Sequence, residues 1–556
     1  MTAWLPGWLR HYRRAWLHGD VVAGVVVTLL LVPQGLAYAL VIGLPPVTGL
    51  YASLPPLLLY GLIGRSHAQS VGPMALTSLL AAATLSRLAA PGSAEYLALA
   101  VWLALLSGAM LVALGVARLG FLADFLSAPV LAAFTAASAL LIVLAQLAPL
   151  LGLHGGGAAL PALLAAVLDG WQGFNPLALG VGALTLLWLV GARRLLPPTL
   201  ARAAPVLAVL LGIVAVREAG WATRLPVVGA VPAGLPAFAL PRLPWERLAE
   251  LMLPAFFMAL INYVQSLSVA QLLAEPRHER VEPDRELLAL GVCNLGAGLF
   301  GGFPVTGGLS RSLVNAAAGA HSPLASWISA GGIALVLLFA GAALASLPLA
   351  VLAATIVVAV YPSIGFGALR QAWRADRADA VAFVLTFVLV LLLGVESGIV
   401  AGVLVSLGAW LWRSSRPHMA EVGRLPGTQH YRNVTRFATE TLPGVLFLRV
   451  DESLYFGNAR LVRDTVLDRL AERPQLTTLV LIMSAVNRLD ASAVTMLQWL
   501  DDSLALRGVT LALAEVKGPV GTVLARAGLL ERFAGRHFLS TDQAWRHYAP
   551  APDFHI

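Results

Sequence analysis

Apolar residues in this chain run in long unbroken blocks rather than in the mixed pattern of a water-facing surface. Val21–Leu31, Leu97–Val116, Leu177–Val190, Ile333–Ala345 and Val381–Leu393 hold no charged residue. Blocks of that length suit helices immersed in lipid. From about Asp20 to Leu411 they alternate with short polar links, which predicts roughly twelve to fourteen helices, some too short to cross a bilayer alone. After Arg416 the pattern changes. Short β-rich runs at Val445–Val450, Thr478–Ile482 and Thr510–Ala514 alternate with helical stretches at Arg460–Arg473 and Ala493–Arg507. That alternation predicts a small α/β domain with a largely parallel or mixed sheet. At the other end, Arg10, Arg13 and Arg14 sit beside Trp4, Trp8 and Trp16, an interfacial lead-in expected on the cytoplasmic side.

Two segments break the helical pattern in the same way. "QSVGPMALTSLLAAA" (69–83) and "GGFPVTGGLSRSLVNAAAG" (301–319) each open on Gly and Pro, then continue in small or hydroxylated residues. About ten helical residues rise only about 15 Å, half of a hydrocarbon core. A helix that starts near the midplane leaves its first N–H groups unpaired, and lipid offers them no partner. Such an end suits an anion. A pair of them, one in each half of a membrane chain, points to a transporter site. Arg311 lies in the second segment. Close helix packing for the glycines and a structural hydrogen bond for the arginine are the competing readings.

Composition sharpens the class. The 556 residues are 58% hydrophobic and 12% charged, with a mean hydropathy of +0.80, far from the roughly one-quarter charged content of soluble proteins. The net charge is +8 and Lys517 is the only lysine. Arginine-rich links at 64–67, 191–202, 274–286, 368–377 and 412–418 are expected to face the cytoplasm, with both termini inside. Arg217, Arg224 and Arg242 fall on the opposite side. No basic cluster suits nucleic acid. A single cysteine, Cys293, makes no internal disulfide. The first twenty residues lack the pattern of a cleavable signal peptide. No cofactor motif or metal-ligand set stands out. His67, His154, His278 and His321 are scattered, without acids at useful spacing, which speaks against a membrane enzyme.

"VPQGLAYALVIGLPPVTGLYASLPPLLLYGLIGRS" (32–66), "SVGP" (70–73), "ELLALGVCNLGAGLFGGFPVTGGLSRSLVNAAAG" (286–319) and the C-terminal domain resemble the sulfate permease (SulP) family of anion transporters, from about residue 19 to residue 548. The resemblance implies an α-helical membrane protein of fourteen segments, arranged as two inverted seven-segment repeats in core and gate subdomains. It also implies a homodimer in the cytoplasmic membrane and a cytoplasmic α/β STAS domain. The expected boundaries are a lead-in at 1–18, a transport domain at 19–416, a linker at 417–439, the STAS domain at 440–548 and a tail at 549–556. Sulfate is the substrate the family name nominates. Bicarbonate, chloride and dicarboxylates stay open, as do proton or sodium coupling, exchange and an uncoupled channel. Carried over by position, the anion would lie between the N-termini of segment three (Pro73, Met74, Ala75) and segment ten (Leu309, Ser310, Arg311). Gln34 and Tyr38 would line it from segment one.

Two departures matter. Many proton-coupled members carry a carboxylate on segment eight, where this chain reads "VQSLSVA" (264–270) with Gln265. An amide takes up no proton near neutral pH. Gln265 is then a pocket-lining residue and Glu286 the candidate coupling acid, although its place also reads as a cytoplasmic cap on segment nine. A nucleobase carrier, which shares the architecture, is disfavoured by the same amide. Asp124 and Glu396 are expected at helix ends near the interface. In the C-terminal domain, the phosphorylatable serine that follows Asp in anti-sigma-factor antagonists is replaced: Asp490 precedes Ala491. A role in folding, dimer packing or positioning is expected instead.

Overall fold

The computed structural model describes residues 7–125, 127–153, 159–238, 241–242 and 245–550. His154 and the side chains of Asp124 and Glu396 lie outside the described residues. The chain divides into two compact units between Ser406 and Leu407.

The first unit is helical. Its main helices are α1 (Leu17–Ile42), α2 (Val47–Ile63), α3 (Ala75–Leu85), α4 (Ala94–Val116), α5 (Ala128–Ala145), α6 (Pro176–Leu195) and α7 (Pro198–Glu218). After them come α8 (Leu248–Ala274), α9 (Pro283–Leu299), α10 (Leu309–Ala317), α11 (Leu324–Phe339), α12 (Leu349–Val360), α13 (Arg377–Leu393) and α14 (Val395–Ser414), the last of which runs past the end of the unit at Ser406. Shorter helices in the connections carry no label. Six of the described helices are long and apolar enough to cross a bilayer unaided. Two packing groups emerge. α4 lies along α9, α9 on α2, and α11 on α1 and α2, whereas α13 packs on α5, and α12 on α5 and α6. α14 joins the second group, because Gly402 has room only for hydrogen beside Thr386 of α13 and Val130 of α5.

Close approach inside the first group depends on missing side chains. A Cβ on Gly49 of α2 would stand 1.8 Å from the carbonyl oxygen of Gly35 on α1, so the two backbones touch directly. Small residues at such crossings replace the hydrophobic drive that lipid removes. α1 ends at Gly43, whose φ of 88° is left-handed and whose N–H returns to the Leu40 carbonyl, a common helix stop.

The half-helices are real and have a common entry. Val71–Gly72 (β1) and Thr306–Gly307 (β2) pair antiparallel, with Val71 opposite Gly307 and Gly72 opposite Thr306. Pro73 and Met74 follow β1 before α3 starts, and Gly308 follows β2 before α10 starts. Eleven and nine residues respectively rise only about 16 and 13 Å.

The second unit carries a six-stranded sheet in the order β4-β3-β5-β6-β7-β8: β3 (Met419–Arg424), β4 (Tyr431–Asn433), β5 (Val445–Val450), β6 (Thr478–Ile482), β7 (Thr510–Ala514) and β8 (His537–Phe538). β5 to β8 run parallel, while β3 is antiparallel to both of its neighbours. The stretch 417–439, expected as a linker, thus supplies two strands. Alternation along β5 separates two cores: Leu446, Leu448 and Val450 pack with Val462, Leu497 and Leu524 on one face, and Phe447 packs with Trp545 on the other. Asp490 N-caps the helix Ala491–Ala505, accepting from the Ala493 N–H at 2.8 Å, and also accepts from the Phe456 N–H. This aspartate has a structural job at the turn that opens the helix.

Candidate functional site

The crossing of β1 and β2 brings the two half-helix N-termini together. Beyond the ladder, the Gly308 N–H donates to the Ser70 carbonyl at 3.0 Å, and the Ser70 N–H donates to Ser312 Oγ at 3.0 Å. Neither Met74 nor Gly308, the residues that precede α3 and α10, caps its helix with a side chain. The first-turn donors of both helices are therefore left for another acceptor. Helix dipoles add their positive ends at the same place.

Arg311 is the charge at this junction. Its side chain is 3% exposed. Nη1 donates to the Pro73 carbonyl at 2.5 Å, which ties α10 to the start of α3. Nε and Nη2 have no hydrogen-bond partner. Among the described residues no carboxylate pairs with this guanidinium; the phenol of Tyr38, buried on α1, is the ionisable group within its electrostatic range. A buried cation without a counter-charge is expensive, and an arriving anion would relieve it.

Beside the junction lies a cavity of about 350 Å³ lined by Gln34 and Pro33 of α1, Ser310 and Val314 of α10, Arg193 of α6 and Thr355 of α12. It separates the first packing group from the second. Its polar lining offers donors: the Gln34 amide, the Ser310 hydroxyl and the Arg193 guanidinium, while the Thr355 hydroxyl donates to the Leu352 carbonyl. Liquid water takes about 30 Å³ per molecule, so the space holds a small oxyanion together with several waters. Leu309 and Ser310 are exposed, and Gln34 is half-buried. Met74 and Ala75 open α3 and are not among the residues that line this cavity.

Gln265 on α8 is 9% exposed, and its Oε1 has no partner. Its neighbours bind the junction from behind. Asn262 accepts from Thr77 Oγ1 at 2.8 Å, its carbonyl accepts from Thr306 Oγ1 at 2.7 Å, and Ser266 Oγ accepts from Gln69 Nε2 at 2.6 Å. Asn294 of α9 closes a pair of bonds with the backbone of Val305, at 2.9 and 3.0 Å. Glu286 is not an exposed cap. The residue preceding α9 is Glu282, and Glu286 is 1% exposed, accepting from Tyr60 OH at 3.0 Å. His67, read as isolated, meets Glu279 at 3.2 Å.

Sequence reasoning did not name Gln69, Asn262, Asn294, Arg193 or Thr355. Buried polar residues inside otherwise apolar helices are the signal that could have found the second and third. Gln69 lies just before the broken segment and reads as a loop residue. Arg193 reads as one of two arginines ending a helix, and only the fold turns it toward the cavity.

Residues 17–386 match the profile described as the sulfate permease family, and residues 436–544 match the STAS domain. A probable sulfate transporter of Mycobacterium tuberculosis is 34% identical over 97% of this chain and 97% of its own length. The chloroplastic sulfate transporter 4.1 of Arabidopsis thaliana is 32% identical over 94% of this chain and 79% of its own. Human solute carrier family 26 member 6 is 33% identical over 84% and 64%. In fold, the chain is similar to murine solute carrier 26 family member A9, an anion transporter solved in the inward-facing state, with a TM-score of 0.90 at 24% identity over 98% of this chain and 94% of that one. Profile, relatives and fold agree: the chain belongs to the sulfate permease family and carries a C-terminal STAS domain.

Proposed function

We propose that the protein is a secondary transporter or exchanger of small anions, with sulfate the first substrate to test, and that the anion is held between the N-termini of α3 and α10. The observation that carries this reading is the meeting of two uncapped half-helix starts around a buried guanidinium with two free donors. Backbone N–H groups, Gln34, Ser310 and Arg311 bind by donation alone, so the site selects for negative charge and leaves room for several oxyanions. Tyr38, Pro73, Met74, Ala75 and Leu309 shape it, and Gln265 is the candidate pocket-lining residue on α8. The names of the relatives, sulfate transporters among them, favour sulfate.

Movement is by alternating access: α1–α4 with α8–α11 form the body that carries the site, and α5–α7 with α12–α14 form the body it moves against. The cavity between Gln34, Ser310, Arg193 and Thr355 is the aqueous approach in this state. Fourteen membrane segments in two inverted repeats, a homodimer in lipid, and cytoplasmic termini complete the reading. A proton or sodium ion is the co-transported partner to test.

The experiment is an uptake panel in proteoliposomes with sulfate, bicarbonate, chloride and fumarate, with and without proton or sodium gradients. Arg311→Ala and Ser310→Leu are expected to abolish or sharply reduce uptake of whichever anion is carried. Unchanged uptake in both variants would remove the anion site. Electrical currents far above thousands of charges per second would replace the carrier with a channel.

A further inference from the structure

We propose that Glu286 is the proton-binding group of the transporter and that its protonation is relayed by Tyr60 and Gln69 to the strand crossing that positions the half-helices. The proposal deepens the transport reading and rests on it. Among the described residues the buried carboxylates are Asp20, Glu286 and Asp501. Asp501 belongs to the second unit. Asp20 is saturated, accepting from the N–H groups of His321 and Ser322, from Ser322 Oγ and from Tyr12 OH. Four donors thus meet that one carboxylate. Glu286 has fewer: Tyr60 OH, at 3.0 Å from both oxygens.

Tyr60 is where the relay gains two states. Its one hydroxyl hydrogen has two acceptors in reach, the Glu286 carboxylate at 3.0 Å and Gln69 Oε1 at 3.1 Å. A hydroxyl donates once. With Glu286 ionised, the hydrogen goes to the carboxylate and Gln69 Oε1 has no donor. When a proton from water forms an O–H bond on Glu286, that O–H donates to the Tyr60 oxygen and the tyrosine hydrogen turns to Gln69. Release returns the proton to water, and the balance is closed.

Gln69 transmits the difference. Its amide nitrogen donates to Ser266 Oγ at 2.6 Å and to the Ser266 carbonyl at 3.2 Å, and it packs so closely on Gly307 that a Cβ there would stand 2.4 Å away. The next residue, Ser70, accepts from the Gly308 N–H at the head of α10. The other charged or titratable groups around Glu286 each have a hydrogen-bond or ion-pair partner of their own, and Arg285 also acts on Glu286 through its charge. On α9, Arg285 donates to the Ile63 carbonyl and Asp284 accepts from the Gly120 N–H. The Arg65 guanidinium pairs with Glu282 and His67 with Glu279. Tyr263 of α8 donates to the Gly120 carbonyl, and Cys293 lies about two turns further along α9, its thiol on the Pro56 carbonyl. α4 carries its titratable residues, Glu95 and Tyr96, in its first turn, away from the Gly115 end that meets Asp284.

The test uses the full chain in proteoliposomes and whichever of sulfate, bicarbonate, chloride and fumarate it carries fastest. An inward proton gradient is expected to drive accumulation in the wild type. Glu286→Gln is expected to lose that drive while keeping gradient-free counterflow, Tyr60→Phe to lose most of it, and Glu286→Asp to recover part. Arg311→Ala should instead lose counterflow, which separates failure of the anion site from failure of the proton site. Independently of transport, infrared difference spectra on acidification should show a carboxylic acid band that Glu286→Gln removes. No gradient effect in the wild type, gradient drive intact in Glu286→Gln, counterflow lost along with it, or an unchanged infrared band would each overturn the proposal.

Discussion

Gly308 and Arg311 fit together with nothing to spare. A Cβ on residue 308 would stand 2.8 Å from Nη2 and 3.0 Å from Nε of the arginine, the two donors that have no protein partner. The glycine is there to let the guanidinium lie against the backbone at the head of α10. Its φ of −88° is ordinary, so conformation does not demand glycine; space does. Gly308→Ala is therefore expected to push the guanidinium aside and lower anion flux at least tenfold, while thermal stability in detergent changes by no more than the overpacking cost of about 1–3 kcal/mol. Gly331→Ala, at a glycine with nothing within 4 Å of its Cβ, is the matched control. Equal flux in the two variants would show that the donors of Arg311 do not matter where they lie.

Asn294 sets how β2 arrives. Its amide nitrogen donates to the Val305 carbonyl and its oxygen accepts from the Val305 N–H, so one side chain satisfies both backbone groups of a fully buried residue. Asn294→Ala strands both, and each buried unsatisfied group costs about 1–3 kcal/mol. A clear drop in melting temperature is expected, with loss of transport. Asn294→Asp should be tolerated less well than its shape suggests, because the carboxylate cannot donate to the carbonyl. Unfolding curves of the two variants in detergent decide this, and a melting temperature matching wild type in either would exclude Asn294 as the anchor of β2.

What the sequence made legible was local. β5, β6 and β7 begin and end where the β-rich runs Val445–Val450, Thr478–Ile482 and Thr510–Ala514 do, because strand alternation and turn residues are written within a few positions. The half-helices were legible for the same reason: Pro73 and Gly308 announce their own breaks. What could not be read was the pairing of Val71 with Gly307, since two dipeptides so far apart carry no mutual signature in one chain. The same blindness hid Tyr60 as the partner of Glu286, and Gln69 as the partner of Tyr60, and so a buried acid passed for a cap at a helix start. β3 was missed because its own six residues mix Glu421 and Arg424 with Ala420 and Val422, and its long partner β5 follows only after the three-residue β4 and an irregular stretch.

Asp501 in the second unit should make stability depend on acid. Burial alone would raise its carboxyl, but hydrogen bonds from Arg536 and Arg532, at 2.7 and 2.6 Å, and their charges override burial and hold it below the usual carboxylate range. A depressed folded value means stability that is fully present above the unfolded value near ~3.9 and lost as pH falls through the folded one. Asp501→Asn should destabilise the unit at neutral pH by about 1.5–3 kcal/mol, the range for hydrogen bonds to charged groups, and its stability should then fall less than that of wild type on acidification. Thermal unfolding of the full chain between about pH 7 and about pH 3 measures both. Parallel curves for wild type and variant would remove Asp501 as the source of the slope.

Arg193 offers a test of the cavity as a route for anions, because charge number should decide who notices its loss. The residue closes the last turn of α6 and lines the cavity opposite Gln34 and Ser310. Coulomb attraction scales with the product of charges, and a pair a few ångströms apart in water-like surroundings gains about 1 kcal/mol per unit charge. Removing the arginine should cost a monoanion such as bicarbonate about 1 kcal/mol and a dianion such as sulfate about 2. In apparent affinity these losses are about fivefold and about thirtyfold. Arg193→Gln should therefore raise KM more for the dianion, leave kcat nearly unchanged and weaken the dependence of KM on ionic strength, since the screened charge is gone. Arg193→Lys should retain most of the dianion preference. An equal change for both anions, or one confined to kcat, would mean that the arginine acts through packing of α6 and not through its field in the cavity.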